Sequence, residues 1–261
     1  GWVTNYYLKP EAYTDEWGVE WKIDPYTTPF GVGHYTNIAH NPLRDNDEAA
    51  MAYKAPDPTR PELYAHLERL VREYGQEYYI IGRVHGTIFE TAWALRGLDT
   101  LMTDFYLNPE LTNHLLDETY LYHKEVVCQM VRRGVDMIWL GDDMGAQASL
   151  LIDPDLWREY FKPRMADIIR TAKAMNPQVK VAYHTDGCNY DIIPELIEIG
   201  LDVLNPIQTE CMDPEILQEK YGDQLCFFGG VAVQSTLPQG TAEEIRREYQ
   251  WLKNSIGKNG G

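Results

Sequence analysis

Short apolar segments recur at a constant interval in the second half of this chain. VKVAYH, DVLN and LCFFGG begin at residues 179, 202 and 225, so successive segments start 23 residues apart. Brief runs of β-branched and aromatic residues, without alternating polar positions, are typical of strands that are buried on both faces of a parallel sheet. An interval of this length accommodates one strand and one crossover helix, and it therefore predicts a βα repeat.

The chain before and between these segments carries matching signals. Two earlier apolar runs, EYYIIG at 77–82 and VDMIWL at 135–140, are predicted to be strands of the same sheet. Helix starts are marked by NPE at residue 108, DPD at 153 and DPE at 213, each with a capping side chain, a first-turn proline and an early acid. Thr241 and Glu244 have the spacing of a capping box and predict a last helix.

Five parallel strands are thus predicted, whereas a closed TIM-type (β/α)8 barrel contains eight. The chain starts at Gly1 and stops at Gly260-Gly261, so we expect an α/β barrel with incomplete ends in this sequence. A doubly wound sheet is the alternative, but no glycine-rich nucleotide loop follows any of the strands. We predict a single domain over residues 1–261.

The first 60 residues are rich in Trp, Tyr, Gly and Pro and lack sustained periodicity. We expect residues 1–60 to be an irregular segment that packs on the barrel, within which DEWGVEWKID could form a small hairpin. The aromatic side chains of this segment mainly supply buried area, and a substrate lid is the alternative interpretation.

An excess of acidic residues limits the partners that this chain can bind. Asp and Glu number 40 against 23 Lys and Arg, which gives a net charge of −17. Such a surface repels phosphate backbones and anionic lipids, so neither nucleic acid nor a membrane is expected as a partner. No run approaches the ~18 apolar residues of a bilayer span, and the first residues lack the features of a signal peptide. The four cysteines form no CxxC pair, so we expect a soluble, cytoplasmic protein.

Polar residues follow the predicted strands, where parallel barrels place their active sites. Asp142 and Asp143 could bind a cationic or N–H-rich group, ligate a metal or transfer a proton, and the alternative is that one of them braces the loop. His184, Asp186 and Cys188 place three potential metal ligands within five residues. A hydrogen-bonded structural histidine and an apolar cysteine are the alternative at these positions. The candidates for substrate contact are Asn205, Gln208, Gly230, Gln234 and His85.

Four longer stretches contain these strand-end residues. They are GDDMGAQASLLIDPDLWREYFKPRM (141–165), VKVAYHTDG (179–187), IPELIEIGLDVLNPIQ (193–208) and YGDQLCFFGGVAVQSTLPQGTAEEI (221–245). In this order they resemble the uroporphyrinogen-decarboxylase superfamily, and specifically its methyltransferase-like members. The resemblance runs from about residue 15 to the end of the chain. It implies a TIM-type barrel whose pocket lies at the carboxyl ends of the strands.

Two reactions compete within that superfamily. The decarboxylases hold substrate carboxylates with basic residues, and their arginine-rich amino-terminal signature does not occur in this sequence. Methyltransferase members carry a zinc ion that activates a thiol for methyl transfer with a corrinoid. Their His-x-Cys motif corresponds to His184-Thr185-Asp186, with aspartate where the family has cysteine.

The resemblance therefore implies a corrinoid-dependent methyltransferase, for reactions that include O-demethylation. The implied partners are a corrinoid protein or free cobalamin, together with a small-molecule methyl donor or acceptor. We expect catalytic roles for Asp142, Asp143 and His184, and a zinc ion on His184, Asp186 and Cys188. A tetrapyrrole carboxy-lyase and a non-catalytic binding protein on the same barrel are the alternatives, because a fold does not fix a function.

Overall fold

The computed structural model of the protein describes residues 12–29, 31–84, 86–258 and 260. The chain forms two compact units, Gly1–Pro58 with His85–His123 and Thr59–Val84 with Lys124–Gly261. The strands are β1 (Ala12–Thr14), β2 (Glu20–Thr28), β3 (Gly31–His40), β4 (Ile81–Arg83), β5 (Met137–Gly141), β6 (Lys180–His184), β7 (Val203–Asn205) and β8 (Cys226–Phe227). The helices are α1 (Asp47–Ala52), α2 (Ala65–Tyr74), α3 (Phe89–Arg96), α4 (Leu98–Leu107), α5 (Pro109–Arg132), α6 (Pro154–Leu156), α7 (Lys162–Met175), α8 (Ile193–Glu198), α9 (Pro214–Tyr221), α10 (Thr236–Gln239) and α11 (Ala242–Asn254).

The first unit contains an antiparallel sheet with the strand order β1-β2-β3. Between β1 and β2 the chain turns at Asp15, whose Oδ1 accepts the N–H groups of Trp17 at 2.9 Å and Val19 at 3.0 Å. The small hairpin suggested by DEWGVEWKID is therefore present. Residues 12–29 and 31–40 are nevertheless more regular than the irregular segment that the sequence predicted. Most side chains of β3 are exposed, so this strand needs no alternation of apolar and polar residues.

A buried arginine connects the helices of the first unit. Arg96, at the end of α3, is 2% exposed. Its Nε donates to Oδ2 of Asp104 in α4 at 2.7 Å, and its Nη1 donates to the carbonyl of Leu43 at 2.6 Å. Its Nη2 donates to Oδ1 of Asp47 in α1 at 2.5 Å. A buried charge is tolerated when it is paired and hydrogen-bonded, so these contacts hold α1, α3 and α4 together.

The second unit contains a five-stranded parallel sheet in the order β4-β5-β6-β7-β8. The predicted α/β class and the five predicted strands are confirmed, although each strand is shorter than its apolar segment. Val181, Ala182 and Tyr183 of β6 point alternately to the two faces of the sheet, and each is at most 1% exposed. Burial on both faces explains why these segments are continuously apolar. In the described chain the sheet is open, with β4 and β8 at its edges.

The helices begin where the capping signals predicted. Pro109 is the first residue of α5. The side chains of Asp153 and Asp213 accept N–H groups in the first turns of α6 and α9, and Thr241 and Glu244 form the capping box of α11. A π-helical turn at 157–161 joins α6 to α7, so the helix predicted from Asp153 onward is present and contains one π turn. None of the helices that the structure describes has both the length and the apolarity of a membrane span.

The register of the parallel strands brings three chain segments to one level. Gly141 pairs with His184, and His184 pairs with Asn205. The ladder continues one residue further, because the N–H of Asp142 donates to the carbonyl of His184 at 3.1 Å and the N–H of Thr185 donates to that of Asn205 at 2.7 Å. The residues that follow β5, β6 and β7 therefore emerge side by side at the carboxyl edge of the sheet.

We expect Arg96→Met to lower the free energy of unfolding by about 3–5 kcal/mol, because it leaves the buried carboxylate of Asp104 without its charged partner. The matched control is Arg44→Met, which removes an ion pair with Asp99 whose side chains are 41% and 70% exposed. An exposed pair contributes about 1 kcal/mol or less. Chemical denaturation followed by circular dichroism measures both changes. Equal losses in the two variants would contradict this role of Arg96.

Candidate functional site

One imidazole and two carboxylates meet at the carboxyl edge of the sheet. His184 ends β6, Asp143 lies in the loop after β5, and Asp186 lies in the loop after β6. Nε2 of His184 is 3.7 Å from Oδ1 of Asp143 and 3.9 Å from Oδ1 of Asp186. One ligand atom from each of the three side chains lies within 4.8 Å of the others. These separations are too long for hydrogen bonds and suit atoms that share a cation.

The orientation of the His184 ring is fixed by Asn205, which ends β7. Nδ2 of Asn205 donates to the carbonyl of Phe228 at 3.0 Å, and this turns its Oδ1 toward His184. Nδ1 of His184 lies 2.6 Å from that Oδ1. Because an amide oxygen can only accept, Nδ1 carries a proton, and in the neutral ring Nε2 then has the lone pair that a metal ion would need. The partners of metal-binding histidines fix the tautomer in the same way.

The two carboxylates are held close together although they repel each other. Oδ1 of Asp143 accepts the N–H of Asp186 at 2.9 Å. Burial raises the pKa of Asp186, the negative charge of Asp143 raises it further, and His184 partly opposes both effects. Three electron-rich atoms therefore lie around one point, where a proton or a metal cation would relieve their repulsion.

Two glycines allow the loops after β5 and β6 to pack backbone against backbone. Gly187 has a φ of +82°, and a side chain there would meet the carbonyl carbon of Gly145 at 2.5 Å. A side chain at Gly145 would in turn meet the main chain of Asp186 and Cys188. The N–H of Cys188 donates to the carbonyl of Ala146 at 2.8 Å and holds this contact. The two loops that carry the carboxylates therefore keep a fixed separation.

A cavity of about 750 Å³ opens beside the cluster and is lined by residues of the β6, β7 and β8 ends and of α11. Its volume lies within the range of small-molecule sites. Most of its wall is apolar, including Leu237, Leu252 and Ile256. Gln208 is fixed in the wall because its Oε1 accepts the N–H of Gly187 at 2.9 Å.

Most of the residues that the sequence pointed to are brought together here. Those that line the cavity are His184, Asp186, Asn205, Gln208 and Gly230. Asp143 joins the cluster of potential metal ligands. Metal ligation was one of the roles that the sequence left open for it, although the zinc ligands expected were His184, Asp186 and Cys188.

Three other residues that the sequence indicated stand apart from this arrangement, and a fourth cannot be placed. Asp142 is 1% exposed and does not belong to the described group of three potential ligands. Cys188 is also outside that group, although the sequence suggested it as a zinc ligand. Gln234 is not among the residues that line the described cavity, and its Nε2 donates to Oε1 of Gln147 at 3.2 Å. His85 lies outside the described residues.

Lys253 of α11 also lines the cavity and was not predicted. The helical pattern of α11 does not distinguish a lysine beside a pocket from one that is simply solvated, so the sequence offers no signal for it. The proximity of Asp143 to His184 depends on the strand register, which pairs Gly141 with His184. The sequence of either strand alone does not show which residues will pair across the two strands.

Comparison with known proteins identifies relatives over most of the chain. The uroporphyrinogen decarboxylase (URO-D) family matches residues 31–260. A uroporphyrinogen decarboxylase of Chlorobium luteolum is 27% identical over 154 residues, which are 59% of this chain and 41% of that protein. Another, of Salinibacter ruber, is 24% identical over 152 residues, which are 58% of this chain and 40% of that protein. The matched stretch thus spans about two fifths of the length of these relatives.

A solved structure shares the fold. It is a methyltransferase from Methanosarcina mazei, with 18% sequence identity and a TM-score of 0.69, and the match covers 89% of this chain and 66% of that one. The predicted α/β class of the TIM-barrel type is confirmed, with five parallel strands that do not close into a ring in the described chain. The family match also confirms the resemblance seen in the sequence. The protein belongs to the uroporphyrinogen decarboxylase (URO-D) family.

Proposed function

We propose that this protein transfers a methyl group between a corrinoid-bound cobalt and a small acceptor, as the methyltransferase-like branch of its superfamily would. The observation that carries the proposal is the cluster of Asp143, His184 and Asp186 beside a cavity of small-molecule size. The methyltransferase that shares the fold supports it. Methyl transfer from cobalt requires positioning and acceptor activation from the protein, because the corrinoid carries the difficult chemistry.

The donor set fits a divalent cation such as zinc. Catalytic zinc sites commonly use three ligands from His and Asp or Glu, about 2.0–2.2 Å from the ion, and keep a fourth position open. Asp143, His184 and Asp186 would supply the three ligands. A zinc ion held there would lower the pKa of a bound acceptor and make it a better nucleophile. Two carboxylates give a harder site than cysteine does, which favours an oxygen or nitrogen acceptor over a thiol.

Other residues would support this chemistry without reacting. Asn205 keeps the lone pair of Nε2 of His184 directed at the ligand cluster. Gln208 stiffens the loop after β6 through its bond to Gly187. The apolar wall of the cavity would limit the access of water and so strengthen electrostatic interactions with a bound acceptor. A corrinoid protein or free cobalamin would be the partner in the transfer.

A decarboxylase, as named among the relatives, is the second candidate. Such an enzyme needs several basic groups to hold the carboxylates of its substrate. Apart from His184, Lys253 is the only basic residue that lines the described cavity. This charge distribution favours methyl transfer over decarboxylation. A binding protein without catalysis is the third possibility, and it would keep the metal but show neither reaction.

Without a cation the acidic cluster opposes folding, so we expect Asp186→Asn to raise the midpoint of thermal unfolding at pH 7 in a chelating buffer. The pKa of Asp186 is raised in the folded protein, so folding is favoured while this carboxyl is protonated and loses that advantage as the pH rises through its pKa. The gain should be small, because the side chain is 54% exposed. It should vanish below the ordinary aspartate pKa of about 3.9.

The control for this measurement is Asp223→Asn, an exposed aspartate on the turn before β8 that carries the same charge change. It should show no gain that grows with pH. An Asp186→Asn protein that unfolds at a lower temperature than the wild type at pH 7 would contradict the interpretation.

We expect the wild-type protein to contain near-stoichiometric zinc by elemental analysis, and His184→Ala to lose it. Asp143→Asn should bind zinc more weakly in a competition with a chelator, because a carboxylate ligand is lost. Cys188→Ser should retain zinc, since Cys188 lies outside the described cluster. Wild-type protein that is metal-free when prepared without a chelator would rule out the site.

We expect the protein to demethylate methylcobalamin, or a methylated corrinoid protein from the same organism, when a suitable acceptor is present. Visible absorbance follows the reaction over a panel of alcohol, amine, thiol and folate acceptors. His184→Ala should be inactive, because it lacks the central ligand, and Cys188→Ser should be active. Formation of coproporphyrinogen from uroporphyrinogen would instead support the decarboxylase. Inactivity of a zinc-loaded wild type in both assays would support the binding protein.

A further inference from the structure

In the loop after β8, three successive N–H groups have no hydrogen-bond partner among the residues that the structure describes. Gly229, Gly230 and Val231 line the cavity, and in the described part of the chain their N–H groups donate to no acceptor. Gly230 is buried, and a buried N–H without a partner is rare in folded proteins. Gly229 and Gly230 have φ angles of +102° and +119°, which residues with side chains rarely adopt. A side chain at Gly229 would meet Cβ of Pro206 at 3.3 Å, and one at Gly230 would meet Cδ2 of Leu252 at 3.2 Å, so glycine lets this loop pack closely against the rest of the cavity wall.

The next part of the same loop already binds carboxylates. The N–H of Ala232 donates to Oε1 of Glu248 at 2.7 Å. The N–H of Gln234 donates to Oε1 of Glu210 at 2.8 Å. Each carboxylate belongs to a different neighbouring segment of the chain, so the loop uses its main chain as a series of anion-binding groups. The three N–H groups that precede them are of the same kind but lack an internal carboxylate.

Lys253 adds a positive charge to this part of the cavity wall. It lies on α11, and within the described chain it forms no ion pair. The residue is exposed, so its ammonium group is available to a ligand. An ammonium group and main-chain N–H groups together recognise oxyanions through charge-assisted hydrogen bonds.

We propose that the cavity binds a small organic anion whose oxyanion group is held by the N–H groups of 229–231 and by Nζ of Lys253. Its apolar part contacts Leu237, Leu252 and Ile256, and its other end reaches toward His184 and Asp186, which line the same cavity. The inference rests on the proposed function in one respect, namely that this anion is the small-molecule substrate of methyl transfer. Binding of the oxyanion itself requires neither a metal nor a corrinoid.

The test is a titration of chelator-treated protein with acetate and, separately, with inorganic phosphate, followed by the amide resonances of Gly229, Gly230 and Val231. We expect at least one of the two anions to shift these resonances saturably, whereas chloride at equal ionic strength does not. The anion that binds more tightly identifies the group as a carboxylate or a phosphate. Lys253→Gln should weaken binding about tenfold through the loss of one charge-assisted hydrogen bond, and Lys253→Arg should keep most of the affinity.

Lys258→Gln is the matched control, because Lys258 is an exposed lysine of the same terminal segment that does not line the cavity. It should bind the anion as the wild type does. Absence of a saturable shift in the wild type, or equal affinity in wild type and Lys253→Gln, would overturn the inference. Because the titration uses chelator-treated protein and no corrinoid, anion binding without methyl transfer would contradict only the proposed function, and methyl transfer without anion binding would contradict only this inference.

Discussion

The hydrogen bond between His184 and Asn205 determines which chemistry the site can support. The amide oxygen of Asn205 lies 2.6 Å from Nδ1, so Nδ1 carries a proton and Nε2 is the nitrogen that can bind a metal ion from the neutral ring. If the amide were reversed, Nε2 would carry the proton and would act as a donor between two carboxylates. The carbonyl of Phe228 prevents this by accepting from the amide nitrogen. The carbonyl of Phe228 after β8 thus orients the amide of Asn205 on β7, and that amide places a proton on Nδ1 of His184 on β6.

These two hydrogen bonds can form because the parallel strands end at a common level. Gly141, His184 and Asn205 are neighbours across the sheet, and each is the last residue of its strand. Each crossover returns the chain to the opposite edge, so every new strand adds its terminal side chain beside the previous one. The site follows from the regularity of the sheet, and the chemistry follows from which polar residues occupy the terminal positions.

The sequence predicted the regular part of this protein well. Continuous apolar runs and capping signals report burial and local hydrogen bonding, so they located the five strands and the main helix starts. The resemblance placed His184 and Asp186 in one site and named the family that the comparison shows. The sequence could not decide between Asp143 and Cys188 as the third potential ligand. The side chains of a loop are oriented by tertiary hydrogen bonds, such as the one from the N–H of Cys188 to the carbonyl of Ala146. Of the sheet formed by β1 to β3, the sequence suggested only the small hairpin, because most side chains of β3 are exposed and impose no pattern.

The contact between Gly145 and Gly187 has a consequence for how this protein could change its specificity. Neither glycine can gain a side chain without moving the other loop, so a change in one loop requires a matching change in the other. A change that reshapes one of them alone would therefore displace both carboxylates of the proposed metal site. The loop after β8 and α11 line the cavity without taking part in this contact. Changes there can alter the shape of the cavity while the three potential ligands stay in place.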